Sequence, residues 1–196
     1  GGAAVNMHEG FICTPFYPPR QFLEAIIIDD TGQRFINEDV YHGRMGSAIL
    51  DRPRRRYYLI IDSRHFDVLE RPPMGGYPVA ATGDTAAELE AELQLPEGTL
   101  VNTLATYNKF AAQGVDPVFH KAEKYLSGLE QPPYAAFDLT IGQGGFYAVM
   151  TFGGLDTLPT GEVLTVEKNI IPGLYAAGRN SAGLPRCAEG YSSGMS

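Results

Sequence analysis

Three side chains that can move protons or hold an anion lie close together in residues 37–44. Tyr41, His42 and Arg44 follow the polar run Asn37-Glu38-Asp39. Tyrosine and histidine can donate or accept a proton, and arginine can bind an anion through its planar guanidinium. The residue types alone are compatible with a reactive site or with a hydrogen-bonded polar loop that follows a short strand.

Two glycine-containing segments would let another group approach the main chain closely. Gly153 and Gly154 follow the run Met150-Thr151-Phe152. A glycine pair after a strand admits either a flat ligand or another backbone segment, although such pairs are also common in turns. Residues 171–178 (Ile-Pro-Gly-Leu-Tyr-Ala-Ala-Gly) predict a short strand whose small terminal residues suit a backbone beside a cofactor.

The first half of the chain carries two apolar runs that predict buried strands. These are residues 24–30 and 57–62. The second run does not alternate with polar residues, so we expect it to be buried on both faces. A turn signal at residues 30–33 predicts a hairpin whose returning strand is residues 34–36.

Two amphipathic helices are predicted next. Residues 82–95 contain the capping box Thr85-Ala86-Ala87-Glu88, and residues 99–113 end at Gly114. Their apolar stripes predict core packing rather than a cofactor surface. Beyond Gly128 the pattern changes to short strands and turns. The predicted elements are strands at residues 135–141, 146–152 and 174–177 and a hairpin at residues 158–166 that turns at Thr160-Gly161.

Composition excludes several classes of protein. The net charge of −8 and the single short basic cluster at residues 52–56 argue against nucleic-acid binding. No apolar run reaches the roughly 18 residues of a membrane span, and no signal peptide opens the chain, so we expect a cytoplasmic protein. The two cysteines predict neither a disulfide framework nor a metal site.

Three of these segments, taken in order, resemble motifs of the fumarate reductase/succinate dehydrogenase flavoprotein superfamily. They are Arg34-Phe35-Ile36-Asn37-Glu38, Thr151-Phe152-Gly153-Gly154-Leu155 and residues 171–178. The resemblance implies FAD as the cofactor. It places the third segment along the FAD pyrophosphate and ribityl chain, the second beside the flavin ring, and the first in a capping domain that faces the substrate.

The resemblance also implies an α+β fold, with a capping domain and the C-terminal part of a Rossmann-like FAD-binding domain. We expect residues 21–140 to form the cap and residues 1–20 and 141–196 to belong to the FAD-binding domain. The Gly-x-Gly-x-x-Gly turn that would place the pyrophosphate at a helix N-terminus is absent. The sequence therefore predicts a fragment that requires the missing N-terminal FAD-binding half as its partner and is inactive alone.

Within the superfamily, the chain looks like the 3-ketosteroid dehydrogenases that desaturate the C4–C5 bond. Residues 37–44, 177–179 and 190–194 carry this resemblance. It implies that Tyr41 is a catalytic base with Arg44 as its neighbour, and that Tyr191 and Ser193 lie near the steroid carbonyl. The implied FAD contacts are Gly153, Gly154, Ala177, Gly178, Arg179, Gly194 and Ser196.

These residue types suit dehydrogenation of the bond α,β to a ketone. Tyr191 and Ser193 would polarise the carbonyl oxygen as negative charge develops on it. Tyr41 would take the α-proton, provided that a cation such as Arg44 lowers its pKa from about 10. FAD would accept the β-hydride. The apolar segment at residues 146–152 would suit a small cyclic ketone such as a steroid.

Two other functions stay open. One is a fumarate reductase-like enzyme that acts on another unsaturated acid, although Val149 and Met150 replace the polar group that would hold a carboxylate. The other is a non-catalytic module that binds a hydrophobic ligand or a protein. The absent FAD fingerprint favours that module, and the C-terminal FAD-side motif opposes it.

Overall fold

The chain combines short strands and helices in two compact units. The computed structural model describes residues 1–8, 10–13, 23–52, 56–65, 78–143 and 147–182. Gly1–Cys13 and Ala148–Ser196 make up one unit, called here the terminal unit. Thr14–Tyr147 make up the other, the central unit.

Ten strands and three α-helices have both ends within the described residues, and Leu23 and Glu24 are also helical. The strands are β1 Ala4–Val5, β2 Gly10–Cys13, β3 Ile26–Asp29, β4 Tyr57–Asp62, β5 Val79–Gly83, β6 Tyr134–Asp138, β7 Ala148–Thr151, β8 Gly154–Leu155, β9 Glu162–Leu164 and β10 Ile170–Tyr175. The helices are α1 His42–Leu50, α2 Ala86–Glu92 and α3 Thr99–Ala111, with 3-10 turns at Glu123–Tyr125 and Gly178–Asn180.

The central unit is built on an antiparallel sheet in the order β3-β4-β6-β5. Alternate residues of the two apolar strands β3 and β4 enter different cores. Ile26 and Ile60 pack with residues of α2 and α3 on one face, whereas Ile27 and Leu59 pack with Met45 of α1 on the other. Because helices cover both faces, β4 is buried along its whole length, which confirms the prediction for residues 57–62.

Side chains accept hydrogen bonds from backbone N–H groups at the starts of both α2 and α3. The backbone N–H of Glu88 donates to the Thr85 hydroxyl at 3.1 Å, and the Glu88 carboxylate accepts from the N–H of Asp84 at 2.8 Å. This confirms Thr85 as the N-cap of α2, but the predicted capping box is only half formed, because the Glu88 carboxylate accepts from the residue before the N-cap and not from Thr85. The buried carboxylate of Glu90 accepts from the N–H groups of Gly98 and Leu100 at the start of α3, at 2.5 and 2.7 Å.

The terminal unit consists of three antiparallel strand pairs. Strand β1 pairs with β8, β2 with β7, and β9 with β10. The N–H of Ala3 donates to the Leu164 carbonyl at 2.8 Å and ties β1 to β9. Strand β10 is largely exposed, and its apolar side chains Ile170, Leu174 and Tyr175 are 49%, 41% and 64% accessible.

Three secondary-structure predictions need correction. Residues 42–50 form α1 rather than a polar loop, because Met45 and Ile49 fall on one face and enter the core. The returning strand at residues 34–36 is reduced to one bridge between Ile28 and Arg34. Residues 82 and 83 belong to β5, and the helix begins only after Thr85.

Among the residues that the structure describes, no helix is both long and apolar enough to cross a membrane.

Candidate functional site

The predicted base and its neighbour lie at the start of α1. Tyr41 is the N-cap residue of this helix, with φ −53° and ψ 129°, and its side chain is half-buried. Arg44 is exposed in the first turn, and its backbone N–H donates to the Tyr41 carbonyl at 2.8 Å. Both residues therefore lie at the N-terminal end of α1.

The glycine pair is explained by the approach of other backbone segments. A Cβ on Gly153 would lie 2.7 Å from the carbonyl oxygen of Asn6. A Cβ on Gly154 would lie 2.5 Å from the carbonyl carbon of Ser181. Of the two alternatives that the sequence left open, close backbone packing is the one visible inside the terminal unit, and it requires glycine at both positions.

The predicted cofactor contacts at residues 177–179 are exposed. Ala177 is extended, with φ −147°, and leads into the 3-10 turn. Gly178 has φ +62°, and no atom lies within 4 Å of the place where its Cβ would be. A residue in this left-handed conformation with open space beside it leaves its main chain accessible to a ligand.

The two groups of predicted cofactor contacts lie on adjacent segments of the terminal unit. Leu155 forms a parallel bridge with Ser181, and the N–H of Ala182 donates to the Leu155 carbonyl at 2.9 Å. The guanidinium of Arg179 contacts the sulfur of Met150 at 2.9 Å. The structure therefore brings the glycine pair and residues 177–179 together.

Four predicted site residues, Tyr191, Ser193, Gly194 and Ser196, lie outside the described residues. Their predicted roles stay predictions.

The motif at residues 34–38 forms an ion network inside the central unit. Arg34 donates to both carboxylate oxygens of Glu38, through Nε at 2.9 Å and Nη2 at 2.7 Å, and Nη2 also donates to Asp116 at 2.8 Å. The Glu38 side chain is fully buried and also accepts from the N–H of Ile27 at 3.0 Å. Lys121 Nζ lies 3.4 Å from Glu38 and donates to the Ala25 carbonyl.

Burial and pairing shift the pKa values of this network in different directions. Burial alone would lower the pKa of Arg34, but its hydrogen bonds and ion pairs with Glu38 and Asp116 raise it above the usual value. Burial would raise the pKa of Asp116, but the Arg34 hydrogen bond brings it below the usual value. Burial lowers the pKa of Lys121, against the attraction of Glu38.

Sequence reasoning did not identify Asp116 and Lys121 as members of this network. The i, i+4 spacing of Arg34 and Glu38 predicts an ion pair only on a helix, and residues 34–38 are not helical, so this spacing gave no signal. Asp116 is 82 residues from Arg34, and no local pattern relates residues that far apart.

Comparison with known proteins identifies the family to which this chain belongs. The family model described as "FAD binding domain" matches residues 20–194. A fumarate reductase (cytochrome) of Shewanella frigidimarina is 30% identical over 161 residues, which cover 82% of this chain and 27% of the relative. A 3-oxosteroid 1-dehydrogenase of Mycobacterium tuberculosis is 30% identical over 192 residues, with 81% of this chain and 33% of the relative covered.

One solved structure is similar over the whole chain. It is the 3-ketosteroid-delta4-(5alpha)-dehydrogenase of Rhodococcus jostii RHA1 in complex with 4-androstene-3,17-dione, at 35% identity and a TM-score of 0.80. The similarity covers 100% of this chain and 40% of that one. The chain belongs to the FAD-binding domain family of flavoprotein oxidoreductases, and it spans about a third or less of the length of these curated relatives.

The cofactor of this family is FAD, and the exposed residues of the terminal unit fit it. Gly178 has a left-handed backbone conformation and open space beside it. A planar or phosphate-bearing group can therefore approach its main chain closely. Arg179 adds an exposed cation beside it, and a guanidinium suits phosphate oxygens.

Proposed function

We propose that this chain supplies the substrate-facing cap and the C-terminal FAD contacts of an oxidoreductase that dehydrogenates the bond α,β to the ketone of a 3-ketosteroid-like substrate. The observation that carries the proposal is the similarity of the whole chain, at 35% identity, to a 3-ketosteroid dehydrogenase solved with a steroid. We assign the central unit to the cap and the terminal unit to the FAD-binding domain.

In this proposal the chain's own residues handle the ketone and the proton. Tyr191 donates its hydroxyl hydrogen to the substrate carbonyl oxygen, and Ser193 supports the same oxygen as negative charge develops on it. Tyr41 removes the α-proton, and the positive charge of Arg44, one turn along α1, favours the deprotonated phenol. A bound FAD would supply the acceptor for the hydride of the β-carbon.

The surface of β10 supports the further proposal that the chain works within a longer flavoprotein. Exposed apolar side chains concentrate on and beside this strand, since Val166 is 75% accessible in addition to Ile170, Leu174 and Tyr175. Exposed apolar patches commonly mark surfaces that another segment covers. We propose that the rest of the FAD-binding domain covers this surface.

The catalytic role of Tyr41 is tested by steroid turnover in the complete flavoprotein that contains this chain. The substrate is a 3-ketosteroid saturated at C4–C5, and an artificial dye accepts the electrons. Tyr41→Phe removes the base and should lower the turnover by at least about 100-fold. Tyr125→Phe, at another half-buried tyrosine of the central unit, should leave it within about twofold.

Full activity of Tyr41→Phe would refute its role as base. The relatives that are fumarate reductases support a second candidate, reduction of an unsaturated acid. Turnover of fumarate but not of the steroid in the same assay would establish that candidate and overturn the steroid proposal. The exposed apolar side chain of Val149, 65% accessible, argues against a carboxylate at this position.

The FAD contact at Gly178 is tested with a matched pair of substitutions. Gly178→Asn and Gly142→Asn both place asparagine at exposed positions with φ of +62° and +83° and with open space around the new Cβ. Asparagine tolerates this conformation, so both variants should fold. We expect Gly178→Asn to weaken FAD binding at least about tenfold, measured by flavin fluorescence in the complete flavoprotein, and Gly142→Asn to leave it unchanged. Equal affinities of the two variants would contradict the contact.

A further inference from the structure

The central unit contains a cavity of about 220 Å³ between α3, residues 115–119 and residues 33–34. Its walls are largely apolar and include Phe110, Val115, Val118 and Phe119. Its other lining groups include the uncharged polar side chains Gln33, Asn102, Thr103 and Thr106. Ligand sites usually combine apolar walls with a few polar groups in this way.

Arg34 is one of the residues that line this cavity. Its side chain is 92% buried, since only 8% is accessible. The guanidinium lies between the rings of Tyr107 and Phe119, 5.0 and 4.9 Å from their centroids. Nε and Nη2 are occupied by Glu38 and Asp116, whereas Nη1 donates to none of the residues that the structure describes.

A buried N–H group without an acceptor costs free energy, which a ligand acceptor would recover. Guanidinium carries five N–H donors, and three hydrogen bonds account for Nε and Nη2 here. The donors of Nη1 are therefore available to an oxygen that enters the cavity.

The charge around Arg34 selects the kind of acceptor. Arg34 pairs with the carboxylates of Glu38 and Asp116. Lys121 Nζ lies 3.4 Å from Glu38, so two basic side chains face two acidic ones. An anionic ligand would meet Asp116, which also lines the cavity, and would lose its hydration without a net attraction. A neutral carbonyl oxygen accepts from Nη1 without this cost.

We propose that this cavity binds a small, uncharged ring compound whose carbonyl oxygen accepts a hydrogen bond from Arg34 Nη1. The ring lies against the apolar walls formed by Phe110 and Phe119. The volume is below the roughly 300 Å³ at which drug-sized sites begin, so the ligand has a single ring. The inference does not depend on the proposed function.

The probe for this site is cyclohexanone, titrated into the ¹⁵N-labelled chain and followed through ¹H–¹⁵N correlation spectra. Saturable shifts should appear at the amides of Thr103, Thr106 and Phe119, with a dissociation constant on the order of 1 mM for a ligand of this size. Methylenecyclohexane has a similar shape but lacks the oxygen, and it should bind at least about tenfold more weakly. Cyclohexanecarboxylate should also bind more weakly.

Two α3 variants locate the site. Thr106 is exposed and lines the cavity, so Thr106→Trp should fill the cavity and abolish the shifts without disturbing the core. Ala105 is exposed and does not line the cavity, so Ala105→Trp should bind cyclohexanone like the wild type. Both variants should keep the wild-type circular dichroism spectrum.

Four results would overturn the proposal. They are no saturable shift in the wild type, equal affinity for the two neutral probes, tighter binding of the carboxylate, and unchanged binding in a folded Thr106→Trp variant.

Discussion

At the scale of single residues, Arg34 connects segments of the central unit that are far apart in sequence. It joins the start of the polar segment at residues 34–38 to Asp116, beyond α3, and its charge is enclosed by two aromatic rings. A buried guanidinium requires such pairing, because an unpaired charge in the interior is very costly. The pairing with Arg34 lowers the pKa of Asp116 against the effect of burial, which makes stability depend on pH.

The pH dependence can be predicted for Asp116. Burial raises its pKa, but the hydrogen bond from Arg34 and those from the backbone N–H groups of Phe119 and Val118 lower it more. The folded pKa thus lies below the unfolded value of about 3.9. Its contribution to stability is complete above that value and is lost as the pH falls through the folded pKa.

We therefore expect the free energy of unfolding to fall between about pH 5 and pH 2 more steeply in the wild type than in Asp116→Asn. Urea unfolding at a series of pH values measures both slopes. Asp62, whose pKa is also lowered against the effect of burial by the N–H of Gln131 and by His65, should retain part of the slope in the variant. Asp51→Asn, at an exposed position, is the control and should follow the wild type. Identical slopes for the wild type and Asp116→Asn would refute the role of the Arg34 pair.

At the scale of elements, α3 depends on a residue of the preceding helix. Gly98, at the N-cap of α3, has φ +78° and no side chain with which to cap the helix. The carboxylate of Glu90 takes this role and also accepts from the N–H of Val101 at 3.3 Å. The negative charge lies at the positive end of the helix dipole, so one side chain fixes α2 and α3 to each other.

Glu90→Gln should lower the free energy of unfolding by about 1–3 kcal/mol. The amide keeps one acceptor oxygen, but it loses the charge and turns an NH₂ group towards backbone donors. Chemical denaturation of the chain measures the loss. Glu92→Gln changes an exposed glutamate of the same helix and should have an effect within about 0.5 kcal/mol. A Glu90 variant as stable as this control would show that the cap contributes little.

At the scale of the whole molecule, the two units differ in how completely they bury their apolar residues. In the central unit, helices cover both faces of the sheet and β4 is buried throughout. In the terminal unit, β10 carries apolar side chains that are 41–64% accessible. The chain matches the FAD-binding domain family model and spans about a third or less of the length of these relatives.

We expect the backbone N–H groups of β10 to exchange with deuterium faster in the isolated chain than in the complete flavoprotein. The physical reason is that covering an apolar surface also shields its strand from solvent. Hydrogen exchange read by mass spectrometry compares the two, and β4 should be protected equally in both. Equal exchange of β10 in the two samples would contradict the proposal that another part of the FAD-binding domain covers it.

The sequence by itself determined the elements whose signals are local. The strand at residues 57–62 and the N-cap at Thr85 are confirmed, because hydrophobic runs and caps depend on near neighbours. The family and its FAD cofactor are also confirmed. The helix at residues 42–50 was missed because its apolar residues, Met45 and Ile49, are few and are separated by small and polar ones.

Only the tertiary structure revealed the contacts between segments that are far apart in sequence. It showed that Gly153 and Gly154 are required by the backbone of residues 6 and 181, and that Arg34 pairs with a residue 82 positions away. It also showed the cavity beside Arg34. Such relations depend on distance in space, and one chain read in order carries no signal for contacts between residues so far apart in sequence.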